Sequence, residues 1–272
     1  MTNIPTESSE IRKDKRYNMY NLIDLTDRRI LVVGASSGIG KKTAITLSNL
    51  GAKLVLAAID EEGVRQALTE LSGDGHAAYY LDAGKLDGIE DFVKEIVANH
   101  GPLDGFVYSA GLGTAVPLAM SKPEKVQNTF NVNFFGFFEM VRQICKKGRY
   151  NEGLRIVGVS SCASLRGDKS KAIYSSTKSA MDSAVRCIAK EVADKGICIN
   201  TVAPAMTATE LYHKFVEKYG EDSDTNRELT GRQYLGIAET QDIANAIAFL
   251  ISPAARFITG ITMPVDGGLT TS

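Results

Sequence analysis

From Arg29 onward, short apolar runs alternate with longer stretches in which apolar residues recur at helical spacing. A short unbroken apolar run suits a strand buried on both faces, whereas a recurrence of roughly 3.6 residues marks a helix with one buried stripe. Strands are expected at Ile30–Val33, Lys53–Ala57, Ala77–Leu81, Gly105–Ser109, Arg155–Val159, Ile197–Val202 and Ile261–Val265, with helices between them. That alternation predicts an α/β chain in which a doubly wound parallel sheet of seven strands carries helices on both faces. No Pro-, Gly- or Ser-rich linker interrupts the series, so residues 21–272 read as one domain. Residues 1–20 are polar and charged and read as an arm, disordered or packed on a neighbouring subunit. Residues 207–236 break the pattern with a charged, aromatic-bearing stretch after the sixth strand, a natural place for a substrate lid. Two predicted helices, Val126–Lys147 and Ile173–Asp194, are richer in apolar residues than one subunit's core requires.

The first strand, Ile30–Val33, runs directly into Gly34-Ala35-Ser36-Ser37-Gly38-Ile39-Gly40. A strand-to-helix turn of this kind gives each glycine a task. Gly34 permits the tight turn, Gly38 lets backbone approach a pyrophosphate, and Gly40 lets the helix Ile39–Leu50 pack on the strand and aim its N-terminal amides at phosphate. The spacing is Gly-x-x-x-Gly-x-Gly, one residue longer in its first gap than the common dinucleotide fingerprint, and its place after an Ile-Leu-Val-Val strand is what gives it weight.

The second chemical signal lies downstream. Tyr174 and Lys178 are separated by one helical turn in Tyr174-Ser175-Ser176-Thr177-Lys178, so the ammonium sits on the phenol's face of the helix and favours its ionised form. A phenol with pKa near ~10 is otherwise a poor base at neutral pH. With the hydroxyl of Ser161 opposite and a dinucleotide turn upstream, the set reads as a proton-relay site beside a nicotinamide, coupling hydride transfer to proton transfer between alcohol and carbonyl.

Composition removes other classes. The 272 residues carry 31 Lys+Arg against 32 Asp+Glu, a formal charge of -1, and 44% are hydrophobic, as in an ordinary globular chain. This balance asks for neither nucleic acid nor an anionic membrane. Cys145, Cys162, Cys187 and Cys198 form no Cys-x-x-Cys pair and lack nearby His partners, which argues against a metal site and a disulfide framework. The N-terminus lacks the apolar core of a signal peptide and no apolar run approaches the ~20 residues of a membrane span, so a cytoplasmic location is expected.

Gly34-x-x-x-Gly38-x-Gly40, Asn133 in Asn131-Val132-Asn133-Phe134, Ser161, Tyr174-x-x-x-Lys178, Pro204 and Asp266-Gly267-Gly268 stand in the order and spacing of one family. From about Leu22 to Gly268 the chain resembles the short-chain dehydrogenases/reductases, most of all their 3-oxoacyl-acyl-carrier-protein reductase-like members. The resemblance implies a Rossmann fold with strand order 3-2-1-4-5-6-7, an NAD or NADP cofactor and a homotetramer. It makes Tyr174 the acid/base and Ser161 a hydrogen-bond donor to the substrate oxygen. Lys178 would bind the nicotinamide ribose and hold down the phenol's pKa, and Asn133 would anchor a water leading to solvent. It implies that Asp82 meets the adenine, that Ala110 and Gly111 pass close to the adenosine ribose, and that Thr209, with Thr207 as a second candidate, meets the carboxamide after Pro204. The chain departs from the family in having Tyr108-Ser109-Ala110-Gly111 for the usual Asn-Asn-Ala-Gly, and Pro204-Ala205 for Pro-Gly.

Cofactor choice is read at the end of the second strand, where a carboxylate selects NAD and an Arg or Lys selects NADP. The chain offers Ala57-Ala58-Ile59-Asp60 there, with Ser36 and Ser37 in the glycine loop. Asp60, besides capping the helix that follows, would repel a 2′-phosphate, which favours NAD. Leu112, Val116, Leu165, Met206, Leu211, Tyr212 and Phe215 make the expected pocket rim apolar without selecting a substrate. A 3-oxoacyl thioester, a sugar-derived alcohol and a steroid-like alcohol all remain open. A catalytically silent dinucleotide sensor would not need the Tyr/Lys/Ser set. Lys146, Lys147, Arg149 and Lys195 offer a basic docking face for a carrier protein, though cations at helix ends also complement the helix dipole, and that is the favoured reading.

Overall fold

The computed structural model describes residues 22–220 and 231–271. The polar arm, residues 1–20, and the middle of the expected lid, residues 221–230, lie outside the described residues.

Seven strands, β1 (Arg29–Val33), β2 (Lys53–Ala58), β3 (Ala77–Tyr80), β4 (Leu103–Tyr108), β5 (Tyr150–Val159), β6 (Cys198–Pro204) and β9 (Thr262–Val265), form one sheet. Their order is β3-β2-β1-β4-β5-β6-β9 and every pairing is parallel. This is the expected order 3-2-1-4-5-6-7. The seventh strand is ninth in the chain because β7 (Thr207–Ala208) and β8 (Ala238–Glu239) intervene as a separate two-stranded sheet.

Burial on both faces explains why the inner strands β1, β2, β4 and β6 are largely apolar runs. In β1, Ile30 and Val32 face one core with Leu47, Leu54 and Ile247, while Leu31 and Val33 face a second core with Phe106, Phe137 and Met140. Each such side chain, removed from water, contributes roughly 1.5–3 kcal/mol. Helix α1 (Gly38–Asn49) and the penultimate helix, Thr240–Ile251, cover the first face. Helix α2 (Glu61–Thr69) follows β2, and α3 (Ile89–His100) covers the second face.

The expected helix Val126–Lys147 is instead α4 (Pro123–Phe130), a π-helical turn (Asn131–Phe135) and α5 (Gly136–Ile144). It starts earlier because Pro123 suits a first helical turn, where the missing N–H has no partner to lose. The π turn follows from tight packing next to it. A Cβ at Gly136 would overlap the Ala83 carbonyl oxygen and lie 2.7 Å from Tyr108 Oη, and Tyr108 Oη donates to Val132 O in the turn. Helix α6 (Ala172–Val192) tightens into a 3-10 turn at Ala193–Lys195, where Ile173–Asp194 was expected. Strand β5 starts at Tyr150 because Tyr150 pairs with Leu103, and β6 runs on to Pro204, which pairs with Val265. The expected lid begins with β7 and helix α7 (Glu210–Tyr219). The helix Thr240–Ile251 is α8.

Candidate active site

The C-terminal ends of β1 and β4 mark the point where the strand order reverses, the usual ligand crevice of an open parallel sheet. Val33 lies level with Ala57 of β2 and Tyr108 of β4, so the loops leaving these three strands emerge side by side. Gly34 and Gly38 have φ of 83° and 52°, backbone that favours glycine. A Cβ at Gly34 would overlap Ala110 N, and one at Gly40 the Gly34 carbonyl oxygen, so the turn is pressed against the start of the β4 loop. Ser37 caps α1 without a side-chain hydrogen bond and no acid stands in the first turn, so the helix amides face the crevice, although Glu210 Oε2 lies 3.6 Å from where a Gly38 Cβ would stand. This glycine cradle, with Ala110 and Gly111 beside it, fits a dinucleotide's pyrophosphate and ribose. Ser36 lies against α2, its Cβ 3.0 Å from where a Gly63 Cβ would stand.

Ser161 follows the end of β5, and Tyr174 and Lys178 occupy successive turns at the start of α6. The Ser161 hydroxyl hydrogen-bonds the Tyr174 phenol and pulls its pKa down, but burial is the larger effect and leaves the phenol above its ordinary value. Ser161 Oγ also accepts from Ala163 N at 3.2 Å. Lys178 is 4% exposed, and its Nζ lies 5.8 Å from the Tyr174 ring centroid and donates to Val159 O at 2.7 Å. Burial pushes Lys178 down to about 8, while Asp182 one turn further on raises it. In the protein alone desolvation of the half-buried ring outweighs the Ser161 hydroxyl and raises the phenol's pKa.

Asn133 sits in the π turn and is fully buried. Its Oδ1 accepts from Leu112 N at 2.7 Å, and its Nδ2 donates to Leu112 O at 3.1 Å and to Thr177 Oγ1 at 3.0 Å. Thr177 in turn donates to Tyr174 O at 2.7 Å. The side chain thus ties the β4 loop to α6. Gly111 lies between Asn133 and Lys178: a Cβ there would stand 3.4 Å from Lys178 Nζ and 3.5 Å from Asn133 Oδ1.

The outer cofactor positions have local duties. Asp60 caps α2, accepting from Gly63 N at 3.0 Å, and Ile59 is 63% exposed at the strand end. Asp82 accepts from Gly84 N at 3.0 Å and has Lys85 Nζ at 3.7 Å. Ile39 is half-buried at the start of α1. Pro204 closes β6, Thr207 is buried and donates to Ala205 O at 3.2 Å, and Thr209 caps α7 by accepting from Tyr212 N. Thr209 Cγ2 comes within 3.4 Å of where a Gly38 Cβ would stand, which closes the crevice over the glycine loop. The structure therefore brings Ser161, Tyr174, Lys178, Asn133, Gly111 and the glycine turn into one crevice, with Thr209 above them. Asp60 and Asp82 lie at its rim.

Three contributors escaped the sequence. Tyr108, in place of the family's Asn, is fully buried, with edge contacts to Phe106 and Phe137, and reaches the π turn. Burial holds its phenol far above the ordinary value. Thr177 links Asn133 to Tyr174. Gln233 is buried, accepts from Met206 N at 3.0 Å and donates to Met206 O and Gly236 O, clamping the segment after β6. Only the conjunction of Tyr108 with an Asn-bearing helix was a visible signal. A cleft of about 630 Å³ lined by Val116, Leu118, Leu165, Arg166 and Ser175 borders the Ser161–Tyr174 segment without including either hydroxyl. Of the candidate docking cations, Lys146 and Arg149 converge on Glu90 at 3.4 and 3.5 Å, and their carboxylate partner is held down to about 2 mainly by Lys94 and then Lys146. Among the described residues no group of acidic, His and Cys side chains could hold a metal ion, and no helix is long and apolar enough to cross a membrane.

A family model described as enoyl-(acyl carrier protein) reductase matches residues 34–270. The chain is 29% identical to L-xylulose reductase of Caenorhabditis elegans over 90% of its own length and 96% of the relative's. It is 31% identical to 3-oxoacyl-[acyl-carrier-protein] reductase FabG of Escherichia coli over 88% and 96%. Among solved structures, a single-residue variant of actinorhodin polyketide ketoreductase with NADPH aligns with a TM-score of 0.82 at 28% identity, covering 90% of this chain and 98% of the other. With its crevice, its sheet order and the spacing of its Ser, Tyr and Lys, the chain belongs to the short-chain dehydrogenase/reductase family, as an NAD(P)-dependent oxidoreductase that interconverts an alcohol and a ketone.

Proposed function

We propose that the chain reversibly reduces a 3-oxo carbonyl compound, an acid or its thioester, with Tyr174 as acid/base. The observation that carries this is the convergence of the Ser161 hydroxyl and the Lys178 ammonium on one half-buried phenol at the mouth of the glycine crevice. In reduction a bound nicotinamide dinucleotide supplies the hydride. Ser161 and Tyr174 hold the substrate oxygen between their hydroxyls, and Tyr174 gives its proton as charge builds on that oxygen. A phenol kept above its ordinary pKa is a fully protonated donor at neutral pH. Lys178 stabilises the phenolate left behind and binds the cofactor ribose. Asn133 holds the β4 loop so that Gly111 leaves open the gap between Lys178 and Asn133, where a water can return the proton. Thr207 and Thr209, above the glycine loop, meet the carboxamide end. The segment 207–236 serves as the substrate lid.

The preferred cofactor in this proposal is NAD(H). Lys41, the cation nearest the glycine loop in sequence, is paired with Glu70 at 2.8 Å, and Asp60 stands at the strand end where a 2′-phosphate would lie. The likeness to an L-xylulose reductase supports a keto sugar as a second substrate class. The family resemblance also supports assembly as a homotetramer.

Nicotinamide absorbance followed across 3-oxo acids and thioesters, keto sugars and hydroxysteroids tests these points together. NADH is expected ahead of NADPH in kcat/KM, and Tyr174→Phe is expected to bind cofactor normally and lose roughly 100- to 10,000-fold in turnover. A Phe variant within a few-fold of wild type would refute the mechanism. A strong NADPH preference would refute the cofactor choice and point to Ser36, Ser37 and Lys41.

A further inference from the structure

Lys171 stands three residues before Tyr174, and its ammonium lies over the Tyr174 ring, 5.5 Å from the centroid. Lys178 approaches the same ring at 5.8 Å. The two cations are otherwise unlike. Lys178 is buried in the wall and bonded to Val159 O, whereas Lys171 is half-exposed, and among the described residues no carboxylate pairs with it.

The carboxylates of the neighbouring segments make their bonds to groups other than Lys171. Asp168 pairs with Arg166, which also removes that guanidinium from service. Asp182 accepts from Thr201 Oγ1 at 2.7 Å, and Asp266 accepts from the backbone N–H groups of Gly268 and Thr270 and from the Thr270 hydroxyl. Lys171 does not serve its helix either. It occupies the N-cap of α6 without a side-chain hydrogen bond, and no acid stands in the first turn. A cation at that end opposes the helix dipole, so the fold itself disfavours lysine there. What remains is an uncompensated ammonium on the ring whose hydroxyl meets the substrate.

We propose that Lys171 recognises an anion on the substrate: the ketone that reacts at Tyr174 carries a carboxylate one or two carbons from the carbonyl, as a 2- or 3-oxo acid does. This rests on the ketone-reductase reading above and specifies a substrate that carries its own carboxylate, extending the 3-oxo class named there to 2-oxo acids. The ring fixes the spacing. An ammonium resting on the phenol's own face can reach only an anion close to the carbonyl, not one at the far end of a long acyl chain. Lys178 cannot take this part, because it is 4% exposed in the wall and its ammonium serves the phenolate and the cofactor ribose.

The test compares 2-oxobutanoate and 3-oxobutanoate with their methyl esters and with the N-acetylcysteamine thioester of 3-oxobutanoate, in wild type, Lys171→Gln and Lys171→Arg. Wild type is expected to favour one of the acids over its ester by about tenfold or more in kcat/KM, as befits a charge-assisted contact. Lys171→Gln should bring that ratio close to one, and Lys171→Arg should keep most of it. A wild type that prefers the esters or the thioester, or a Gln variant with an unchanged ratio, overturns the assignment while leaving the ketone-reductase reading intact. Absence of turnover with these compounds and with every other ketone of the panel overturns both.

Discussion

Burial acts in opposite directions on two groups one helical turn apart: it raises Tyr174 and lowers Lys178 to about 8. Asp182, one further turn along the same face, is 4% exposed and works against the fall at Lys178. One carboxylate oxygen of Asp182 is held by Thr201 and the other has no partner, so its charge is little screened where it stands. A pH profile follows from these signs. Below about pH 8 Lys178 is an ammonium and can stabilise the phenolate that reduction leaves on Tyr174; as pH rises through about 8 it loses its proton. Tyr174 stays protonated across that range because its own pKa is raised. The kcat/KM for reduction should therefore hold at lower pH and fall above about 8. Asp182→Asn removes the charge that raises Lys178, so the falling limb should move to lower pH. A limb that stays fixed or moves upward in the variant would show that Lys178 does not set it.

At the scale of elements, what the sequence reveals is whatever depends on spacing along one strand or helix. The inner strands β1, β2, β4, β5 and β6 were legible because each carries an apolar run that is buried, the edge strands β3 and β9 as shorter, partly buried runs, and Tyr174 and Lys178 because α6 is regular between them. The asparagine site was legible only as a motif. Its partners, the Leu112 backbone and Thr177, come from a loop and a helix that no local pattern connects, and the π turn that holds Asn133 arises from contacts with Ala83 and Tyr108. Helix boundaries moved for similar reasons, as the π turn and the 3-10 end of α6 are decided by packing. Asp60 shows the reverse case: its place at a helix start was legible and its capping bond is present, while any part in cofactor choice depends on a ligand. Tyr108 gives this scale its prediction. Tyr108→Phe keeps the ring contacts with Phe106 and Phe137 but removes the donor to Val132 O. It should cost about 1 kcal/mol of stability and lower kcat more than it changes the cofactor KM, because the turn carrying Asn133 loosens. A variant with a lowered melting temperature and an unchanged kcat would confine Tyr108 to a structural role.

For the whole molecule, the feature still unaccounted for is an aromatic surface. From the end of α4 through the π turn to α5, Phe134 contacts Phe135 and Phe138 at ring centroid distances of 5.4 and 6.0 Å, and Phe130 contacts Phe135 at 6.0 Å. Phe135 and Phe138 remain 37% and 42% exposed. A cluster of large rings on one helical face is costly to leave in water and suits a self-complementary contact between two copies related by a two-fold axis. The excess of apolar residues in this helix and in α6 pointed to such faces, and the proposed homotetramer would use one of them as a dimer interface. Light scattering at micromolar protein should give a mass above that of one chain. Phe138→Glu, which buries an unpaired charge in the contact and leaves the core of its own subunit untouched, should lower that mass while far-ultraviolet circular dichroism stays unchanged. A wild type that is already monomeric would rule out the assembly. A Phe138→Glu chain that keeps the wild-type mass would put the interface on another surface, with the rings of α5 facing solvent in every subunit.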